Sequence, residues 1–249
     1  MNSIKVPLIA ALAAIVASGY FYYRIHFPQV KAVANRTKES ARPAPKPPEK
    51  PNRTAVPPDP ARAESLFKEA IRLRGESKPA EAVEKLSRAI DYNPDYFEAY
   101  MIRATMRAED IQDNDGVLSD VDEMLRLNPR DPEVYNLRSS ALQAKGANPL
   151  AVAAANKAIA LAPDNWIYYN TRGCAYNNMA KYNQAINDFT RAIDLKPEEI
   201  LARSNRASVY AFLGKYDLAR ADLDEIARIE PALKKEMEDL KIKYQIPPK

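Results

Sequence analysis

Five prolines recur at a nearly constant interval through this sequence. They are Pro94, Pro129, Pro163, Pro197 and Pro231, and the intervals between them are 35, 34, 34 and 34 residues. A fixed period in this range is typical of stacked units, each too small to bury its apolar side chains alone, and not of one irregular globule. The chain is therefore expected to be a repeat protein.

Each proline is taken as the closing residue of a unit, because proline cannot continue a helical hydrogen-bond ladder. This divides the chain into five units, of which the second is one residue longer: 63–96, 97–131, 132–165, 166–199 and 200–233. In the fourth unit, apolar and small residues recur as they must for two antiparallel helices to pack. These residues are Tyr169, Gly173, Tyr176, Ala185, Phe189, Ala192 and Pro197.

Small residues stand where the two helices of a unit are expected to approach closely. In the first helix they are Ala70, Ala104, Ser139, Gly173 and Ala207, and in the second helix Ala82, Ala151, Ala185 and Ala219. Larger apolar residues stand beside them and are expected to fill the core, namely Leu86, Val121, Phe189 and Leu223.

This pattern resembles the tetratricopeptide repeat family, whose 34-residue unit carries an aromatic residue, Gly, Tyr, Ala, Phe, Ala and Pro at these offsets. The resemblance covers about 170 of the 249 residues. It implies an all-α, right-handed α-solenoid of about five helix-turn-helix repeats. The second unit departs from the pattern by its extra residue and by Val117 in place of alanine, so its inter-helix turn is undefined. The first unit has Leu66 where an aromatic residue is usual.

Residues 234–249 follow the last unit and are predicted to be a capping helix and tail. Leu233, Met237, Leu240 and Tyr244 fall on one helical face, with Lys and Glu opposite. Such an amphipathic helix would cover the apolar side of the final repeat, as the ends of solenoids require.

The N-terminus carries a second distinctive segment. After a tail at 1–5, residues 6–23 contain 18 uncharged, mostly apolar residues, close to the roughly 20 that cross hydrocarbon as a helix. The aromatic run 20–23, followed by Arg24, suits a membrane interface. A retained transmembrane anchor is the main prediction. A signal peptide cleaved near Ser18 is the alternative.

Residues 24–62 are predicted to be a basic, disordered linker. Eight prolines between Pro43 and Pro60 exclude a helix or an interior strand there, so the segment is expected to be an extended spacer. A proline-rich ligand for an aromatic groove is the alternative. Lys and Arg residues are in excess after the span, which favours a single-pass membrane protein with cytoplasmic repeats. A periplasmic or secreted repeat domain stays open.

The charge is distributed unevenly between linker and repeats. Residues 24–62 carry nine Lys/Arg and three Asp/Glu, whereas residues 63–249 carry 27 and 30. A nucleic-acid-binding protein places its positive charge on the folded domain. No nucleic-acid partner is therefore expected.

Residue types also exclude most catalytic chemistry. The chain has one histidine, His26, and one cysteine, Cys174, so a Cys/His zinc site and a histidine-based triad in the repeats are both excluded. No glycine-rich phosphate-binding motif is present. No enzyme activity, metal or cofactor is expected, although carboxylate-only or lysine chemistry stays open. Cys174 is expected to be a small buried or half-buried residue, with a redox or modification site as the alternative.

An acidic segment in the second unit has some features of a calcium loop. Asp113, Asp115, Gly116 and Asp122 are spaced as in an EF-hand, but Ile111 occupies the position of the first ligand. The segment is predicted to be a solvated acidic turn, with calcium binding as the alternative.

Charged residues recur at two places in the units. The seventh place holds Glu69, Arg103, Arg138, Arg172 and Arg206, and the twenty-third holds Lys85, Asp120, Ala154, Asp188 and Asp222. Both signs reverse together in the first unit, which indicates a salt bridge between the two helices of a unit. An arginine ladder for acidic ligands is the alternative. Arg138, which faces alanine, is predicted to be the arginine most free to act.

The family resemblance also implies a binding surface. In tetratricopeptide repeats the second, fifth, ninth, twelfth and thirteenth residues of successive first helices line a concave groove. The residues of this chain at such places are Asn136, Ser140, Gln143, Ile167, Asn170, Cys174, Asn177, Asn178, Leu201, Ser204, Ser208 and Phe212. The Lys and Asn pattern with which some members bind a C-terminal carboxylate is absent, because Phe67 and Ile71 stand in the first unit.

Side-chain amides can hydrogen-bond the backbone of an extended peptide. The predicted function is therefore a membrane-anchored adaptor that binds a partner peptide or helix in this groove. A self-associating structural scaffold and an accessory subunit of a membrane-bound complex are the alternatives.

Overall fold

A computed structural model of the chain describes residues 57–247. Within this range the chain forms eleven α-helices and no strand, which confirms the all-α prediction. The helices are α1 (Pro60–Gly75), α2 (Pro79–Tyr92), α3 (Phe97–Met106), α4 (Asn114–Leu127), α5 (Pro132–Ala144), α6 (Asn148–Leu161), α7 (Trp166–Asn178), α8 (Tyr182–Leu195), α9 (Ile200–Phe212), α10 (Tyr216–Ile229) and α11 (Lys234–Lys243).

The helices pack in chain order. The first ten form five hairpins, from α1–α2 to α9–α10, and the second helix of each hairpin also packs against the first helix of the next. In addition, α5 contacts α7 and α7 contacts α9, so the first helices of the last three hairpins lie side by side. This nearest-neighbour packing is the arrangement of an α-solenoid.

The recurrent prolines determine where the second helices end. Helix α2 ends at Tyr92, two residues before Pro94, and the same interval separates the ends of α4, α6, α8 and α10 from the proline that follows each of them. The reason is steric, because the residue before a proline is disfavoured in the helical conformation. At the start of α5, the Asp131 carboxylate accepts hydrogen bonds from two backbone N–H groups in the first turn.

The predicted close approach of paired helices is confirmed in the fourth repeat. A Cβ atom on Gly173 would lie 2.7 Å from Cε1 of Phe189, so a side chain on residue 173 would have to displace the Phe189 ring. The residues at the equivalent place in the other repeats are buried small residues, namely Ala70, Ala104, Ser139 and Ala207.

The extra residue of the second repeat lies at the end of α3. Residues Arg107–Ile111 form a π-helical turn, which contains more residues per turn than an α-helix. Gln112 follows with a φ of 60°, and the carboxylate of Asp113 then accepts a 2.9 Å hydrogen bond from the Gly116 N–H at the start of α4. Val117, at a place usually held by alanine, is fully buried.

The last repeat is covered by α11. A 3₁₀ turn at Pro231–Leu233 leads into α11, which packs against α10. Met237 is buried, and the hydroxyl of Tyr244 lies 2.7 Å from that of Ser208 on α9. The apolar side of the fifth hairpin is thus withdrawn from solvent.

Two predictions concern residues outside the described range, namely the anchor at 6–23 and the linker up to residue 56. Among residues 57–247, no helix has both the length and the apolar character needed to cross a bilayer. Helix α1 begins at Pro60, three residues before the expected boundary at 63. Proline suits the first position of a helix, and the Asp59 carboxylate accepts a hydrogen bond from the Arg62 N–H.

Candidate functional site

The candidate groove is the face of α1, α3, α5, α7 and α9 that carries the second, fifth, ninth, twelfth and thirteenth residues of the repeats. Two hydrogen bonds join neighbouring first helices along it. Gln143 on α5 donates from Nε2 to the Thr171 carbonyl oxygen on α7 over 3.1 Å. Asn205 on α9 donates from Nδ2 to Oδ1 of Asn170 over 2.9 Å. The predicted residues of repeats 3 to 5 are therefore brought onto adjacent helices.

Asn205 reveals a contact register between repeats. Its Nδ2 also lies 3.6 Å from Sγ of Cys174, so the fifth and ninth residues of one repeat meet the sixth residue of the next. The equivalent places of the other repeats define, by sequence position, one set of three residues for each junction. Junction 1 has Phe67, Ile71 and Ile102, junction 2 has Met101, Thr105 and Leu137, junction 3 has Asn136, Ser140 and Thr171, and junction 4 has Asn170, Cys174 and Asn205.

Junctions 1 and 2 form an apolar end that the sequence analysis did not include in the groove. The Phe67 ring lies 5.1 Å from the Tyr96 ring, and Ile71 is 41% exposed. Met101, Ile102 and Leu137 are half-buried against the core. The repeat register could have predicted this end from the sequence, because these residues occupy the same places in their repeats as the predicted polar residues do in theirs.

Asn136 at junction 3 differs from its counterpart Asn170 at junction 4. Oδ1 of Asn170 accepts the hydrogen bond from Asn205, whereas Oδ1 of Asn136 is buried and has no hydrogen-bond partner among the described residues. Thr171 stands at the place of Asn205 and has no amide group to donate. Buried polar atoms are nearly always paired, so this unpaired acceptor is an exception.

The predicted groove residues divide into three groups by exposure. Ser140, Ile167 and Phe212 are exposed. Asn136, Cys174, Asn177, Asn178, Leu201 and Ser204 are half-buried. Gln143, Asn170 and Ser208 are buried. The buried members hold the solenoid together, and the exposed and half-buried members are those that a partner can contact.

Several groove side chains connect neighbouring elements. The Ser208 hydroxyl is paired with that of Tyr244 beyond α11, so the cap closes the groove at this end. Asn178 donates to Oδ1 of Asn148 over 3.3 Å, and the Phe212 ring lies 5.1 Å from the Tyr182 ring. These contacts tie the ends of the first helices to the adjoining second helices and to the cap.

The single cysteine has a suppressed acidity. Burial raises the pKa of the Cys174 thiol to about 12, because the low-dielectric surroundings disfavour the thiolate. The thiolate is the nucleophilic form of cysteine, and this shift disfavours it at neutral pH. Together with the half-buried position of the side chain, this favours the predicted packing role over a redox site.

The predicted salt bridges between paired helices are confirmed in four repeats. Arg172 donates from Nε and Nη2 to the two carboxylate oxygens of Asp188 over 2.8 and 2.7 Å. These hydrogen bonds raise the pKa of the Arg172 guanidinium. The other pairs are Arg103 with Asp120, Arg206 with Asp222, and the sign-reversed Lys85 with Glu69.

Each arginine also reaches back to the repeat before it. Nη1 of Arg172 donates to Asn156 over 2.7 Å. Equivalent bonds join Arg103 to Ser87 and Arg206 to Thr190. The arginines therefore join repeats as well as the two helices within each repeat.

The prediction that Arg138 is free to act is wrong. Its Nη2 lies 3.5 Å from Oδ1 of Asp122, which stands at the same place in repeat 2 as Asn156 in repeat 3. Repeat 3 lacks the carboxylate within the hairpin, since Ala154 stands there. Asp122 of the preceding repeat supplies the carboxylate instead.

The acidic segment of the second repeat has no metal-binding geometry. Asp113 caps α4, Asp115 pairs with Lys145, and Asp122 pairs with Arg138. No cluster of three or more His, Cys, Asp or Glu side chains suited to a metal is found among residues 57–247. Each carboxylate has its own partner, so the three do not converge on one site.

The charged residues of the candidate groove lie in repeats 1 to 3. The fifth, ninth, twelfth and thirteenth residues of repeats 3 to 5 include no Asp, Glu, Lys or Arg, but the second places of repeats 2 and 3 hold Glu98 and Glu133. In repeats 1 and 2, Arg74 lies 3.5 Å from Glu109 and Lys68 lies 2.7 Å from Glu64. The groove therefore carries more carboxylates than basic groups.

Sequence comparison agrees with this geometry. One family model of the tetratricopeptide repeat matches residues 168–199 and 202–233, and a second family model matches residues 67–110. The chain contains tetratricopeptide repeats. Repeat 3 (132–165) lies outside the matched segments, yet α5 and α6 form the same hairpin as the tetratricopeptide repeats on either side. No relative with a curated description matched the sequence significantly.

Solved structures of other proteins share the fold. MamA (residues 41 to the end) from Desulfovibrio magneticus RS-1 has a TM-score of 0.61 at 19% identity, and the match covers 69% of this chain and 96% of that one. TTC0263 from Thermus thermophilus has a TM-score of 0.59 at 20% identity, covering 74% and 97%. YrrB, a TPR protein with an unusual peptide-binding site, has a TM-score of 0.52 at 16% identity, and the match covers 68% of this chain and 87% of that one.

Proposed function

We propose that this chain is a non-catalytic adaptor that holds an extended segment of a partner protein along the candidate groove. The observation that carries the proposal is the set of exposed side chains on successive first helices, namely Ser140 on α5, Ile167 on α7 and Phe212 on α9. A bound peptide would cover the apolar members and would hydrogen-bond the hydroxyl group with its backbone. The peptide-binding site of YrrB, which has the same fold, supports this use of the surface.

The chemistry of the groove favours a peptide over an anionic small molecule. Amide and hydroxyl groups hydrogen-bond a peptide backbone at a small desolvation cost, whereas a charged ligand must lose its hydration. The second places of repeats 2 and 3 hold carboxylates, Glu98 and Glu133, so an anion would gain no ion pair from them in return. An extended protein segment is therefore the best-matched occupant.

The test uses the full-length chain in its native membranes. A photo-crosslinker at Ser140 is expected to capture a protein partner, and the double change Ser140→Arg with Ile167→Arg to abolish co-purification of that partner. Leu150→Arg is the matched control, because Leu150 is 61% exposed but lies on α6, outside the groove. A partner lost equally from both variants, or from neither, would contradict groove binding.

We further propose that residues 6–23 anchor the adaptor in a membrane and that the linker after them, up to residue 59, holds the repeats away from the bilayer. The support is the length and apolar character of the segment, its aromatic edge and the Lys/Arg excess after it. The chain should resist extraction by alkaline carbonate, whereas a chain lacking residues 2–23 should be released. Protease should reach the repeats only from the cytoplasmic side. Carbonate release of the intact chain, or cleavage from outside, would contradict the anchor or its orientation.

A further inference from the structure

We propose that the groove of repeats 3 to 5 selects a segment that carries a lysine or arginine over Glu133 and an apolar side chain over Ile167. This inference rests on the proposed function and names the chemistry of the partner. It follows from the second places of the first helices, where the residues change from acidic to apolar between repeats 3 and 4. These residues are Glu64, Glu98, Glu133, Ile167 and Leu201.

Glu133 presents a carboxylate that has no counter-charge within the repeats. It is exposed and is the second residue of α5. No lysine or arginine among residues 57–247 forms an ion pair with it, and Arg130, three residues earlier, is no exception. The equivalent carboxylate of repeat 1, Glu64, pairs with Lys68 over 2.7 Å. An ammonium or guanidinium group of a partner would give Glu133 the charge-assisted hydrogen bonds that the chain itself does not provide.

Ile167 presents an apolar side chain on the next helix of the groove. It is 39% exposed and is the second residue of α7. Leu201, half-buried at the same place of α9, continues this apolar surface. Covering these side chains removes apolar area from water, which an apolar side chain of the partner does effectively.

Glu133 and Ile167 lie on neighbouring helices, since α5 contacts α7. Burial raises the pKa of the Tyr168 hydroxyl, and the negative charge of Glu133 raises it further, so this carboxylate acts on the residue next to Ile167. The same register joins Asn170 to Asn205, where the fifth residue of one repeat meets the sixth residue of the next. The acidic and apolar side chains are therefore adjacent in the groove.

This packing predicts how far apart the two recognised side chains stand in the partner. Packed helices such as α5 and α7 lie about 8–10 Å apart. An extended chain advances about 3.3–3.6 Å per residue, so the basic residue should stand about two or three residues from the apolar one.

The experiment is a selection of random 12-residue displayed peptides on the full-length chain in detergent at low salt. Enriched peptides are expected to carry Lys or Arg at this spacing from Leu, Ile, Phe or Met. Glu133→Gln should weaken the binding of an enriched peptide by about two- to fivefold, because exposed ion pairs are weak, and about 1 M salt should remove this difference. Glu84→Gln is the matched control, since Glu84 is exposed on α2 outside the groove, and it should change binding by less than about 1.5-fold.

A charge exchange separates recognition from folding. The Glu133→Lys variant should bind an enriched peptide more tightly once the basic residue of that peptide is replaced by Glu, which a damaged fold would not produce. If this variant still preferred the original peptide, the ion pair would be overturned.

The remaining outcomes distinguish this inference from the proposed function. Enriched peptides that lack the basic or the apolar residue, but no longer bind the double variant Ser140→Arg with Ile167→Arg, would overturn the two-part segment and leave groove binding intact. Peptides that bind this double variant as tightly as the unchanged chain, or enrichment of no peptide at all, would overturn the proposed function as well.

Discussion

At the scale of single residues, a small residue at the eighth place faces a larger apolar residue at the twenty-fourth place in four of the repeats. Gly173, the smallest of the eighth residues, meets Phe189, the largest of the twenty-fourth. Repeat 3 is the exception, because it has Ser139 and Ala155 at these places, and the Ser139 hydroxyl donates to the Ala151 carbonyl oxygen over 2.9 Å.

Gly173→Ala is expected to lower the free energy of unfolding by about 1 kcal/mol. The new methyl group must displace the Phe189 ring at a cost of about 1–3 kcal/mol, which outweighs a gain of about 1 kcal/mol in helix propensity. In a Phe189→Leu background the same change should stabilise the protein, because the ring is gone. Urea unfolding of the four proteins measures this cycle. Equal effects in the two backgrounds would show that residues 173 and 189 do not interact.

At the scale of helices and hairpins, arginines join elements in two directions. Each buried pair links the two helices of one repeat, and a second hydrogen bond from the same guanidinium links that repeat to the one before. Repeat 3 keeps only the second kind of contact, between Arg138 and Asp122, in an exposed setting. The buried surface of its second helix is made of alanines, namely Ala151, Ala154, Ala155 and Ala158.

Asp188→Ala and Asp122→Ala are expected to differ sharply in their effects on stability. The Asp188 carboxylate is 8% exposed and accepts two hydrogen bonds from Arg172, so its removal leaves a half-buried guanidinium without its anion and should cost about 3 kcal/mol. The Asp122 carboxylate is 66% exposed, and its loss should cost less than about 1 kcal/mol. Thermal and urea unfolding of both variants give the comparison. Similar losses would mean that burial does not determine the strength of these pairs.

Contacts within a hairpin could be predicted from the sequence, and contacts between hairpins could not. The ends of the second helices and the Arg172–Asp188 pair depend on spacing along about 34 residues, which the repeats display several times. The partner of Arg138 and the lone acceptor of Asn136 depend on the following or preceding repeat and on how neighbours are rotated. Equivalent places in the repeats predict contacts within a hairpin, but they carry no information on how one hairpin is rotated against the next.

At the scale of the molecule, the solenoid has one covered end among the residues described. Helix α11 buries Met237 against the fifth hairpin, and Tyr244 reaches back to Ser208 in the groove. The cap therefore limits the groove as well as shielding the core. Self-association of the intact chain stays a prediction.

Removing residues 232–249 is expected to make the chain self-associate. The loss of α11 exposes the apolar side of α10, including the contact surface of Met237, and exposed apolar patches of this kind drive association. Sedimentation velocity across a concentration series, in the same detergent for both chains, measures the change. Ile242→Lys is the control, since Ile242 is 76% exposed and contributes little to the cap. A truncated chain with the same mass distribution as the intact one would contradict the capping role.

The π turn at Arg107–Ile111 bears on how a gene of this kind can change in length. The additional amino acid is confined to the stretch before α4, because α5 begins 18 residues after the start of α4 (132 − 114), the same interval as from α6 to α7 (166 − 148) and from α8 to α9 (200 − 182). A codon gained or lost at that point alters one bend of the backbone and leaves the order and stacking of all later units unchanged.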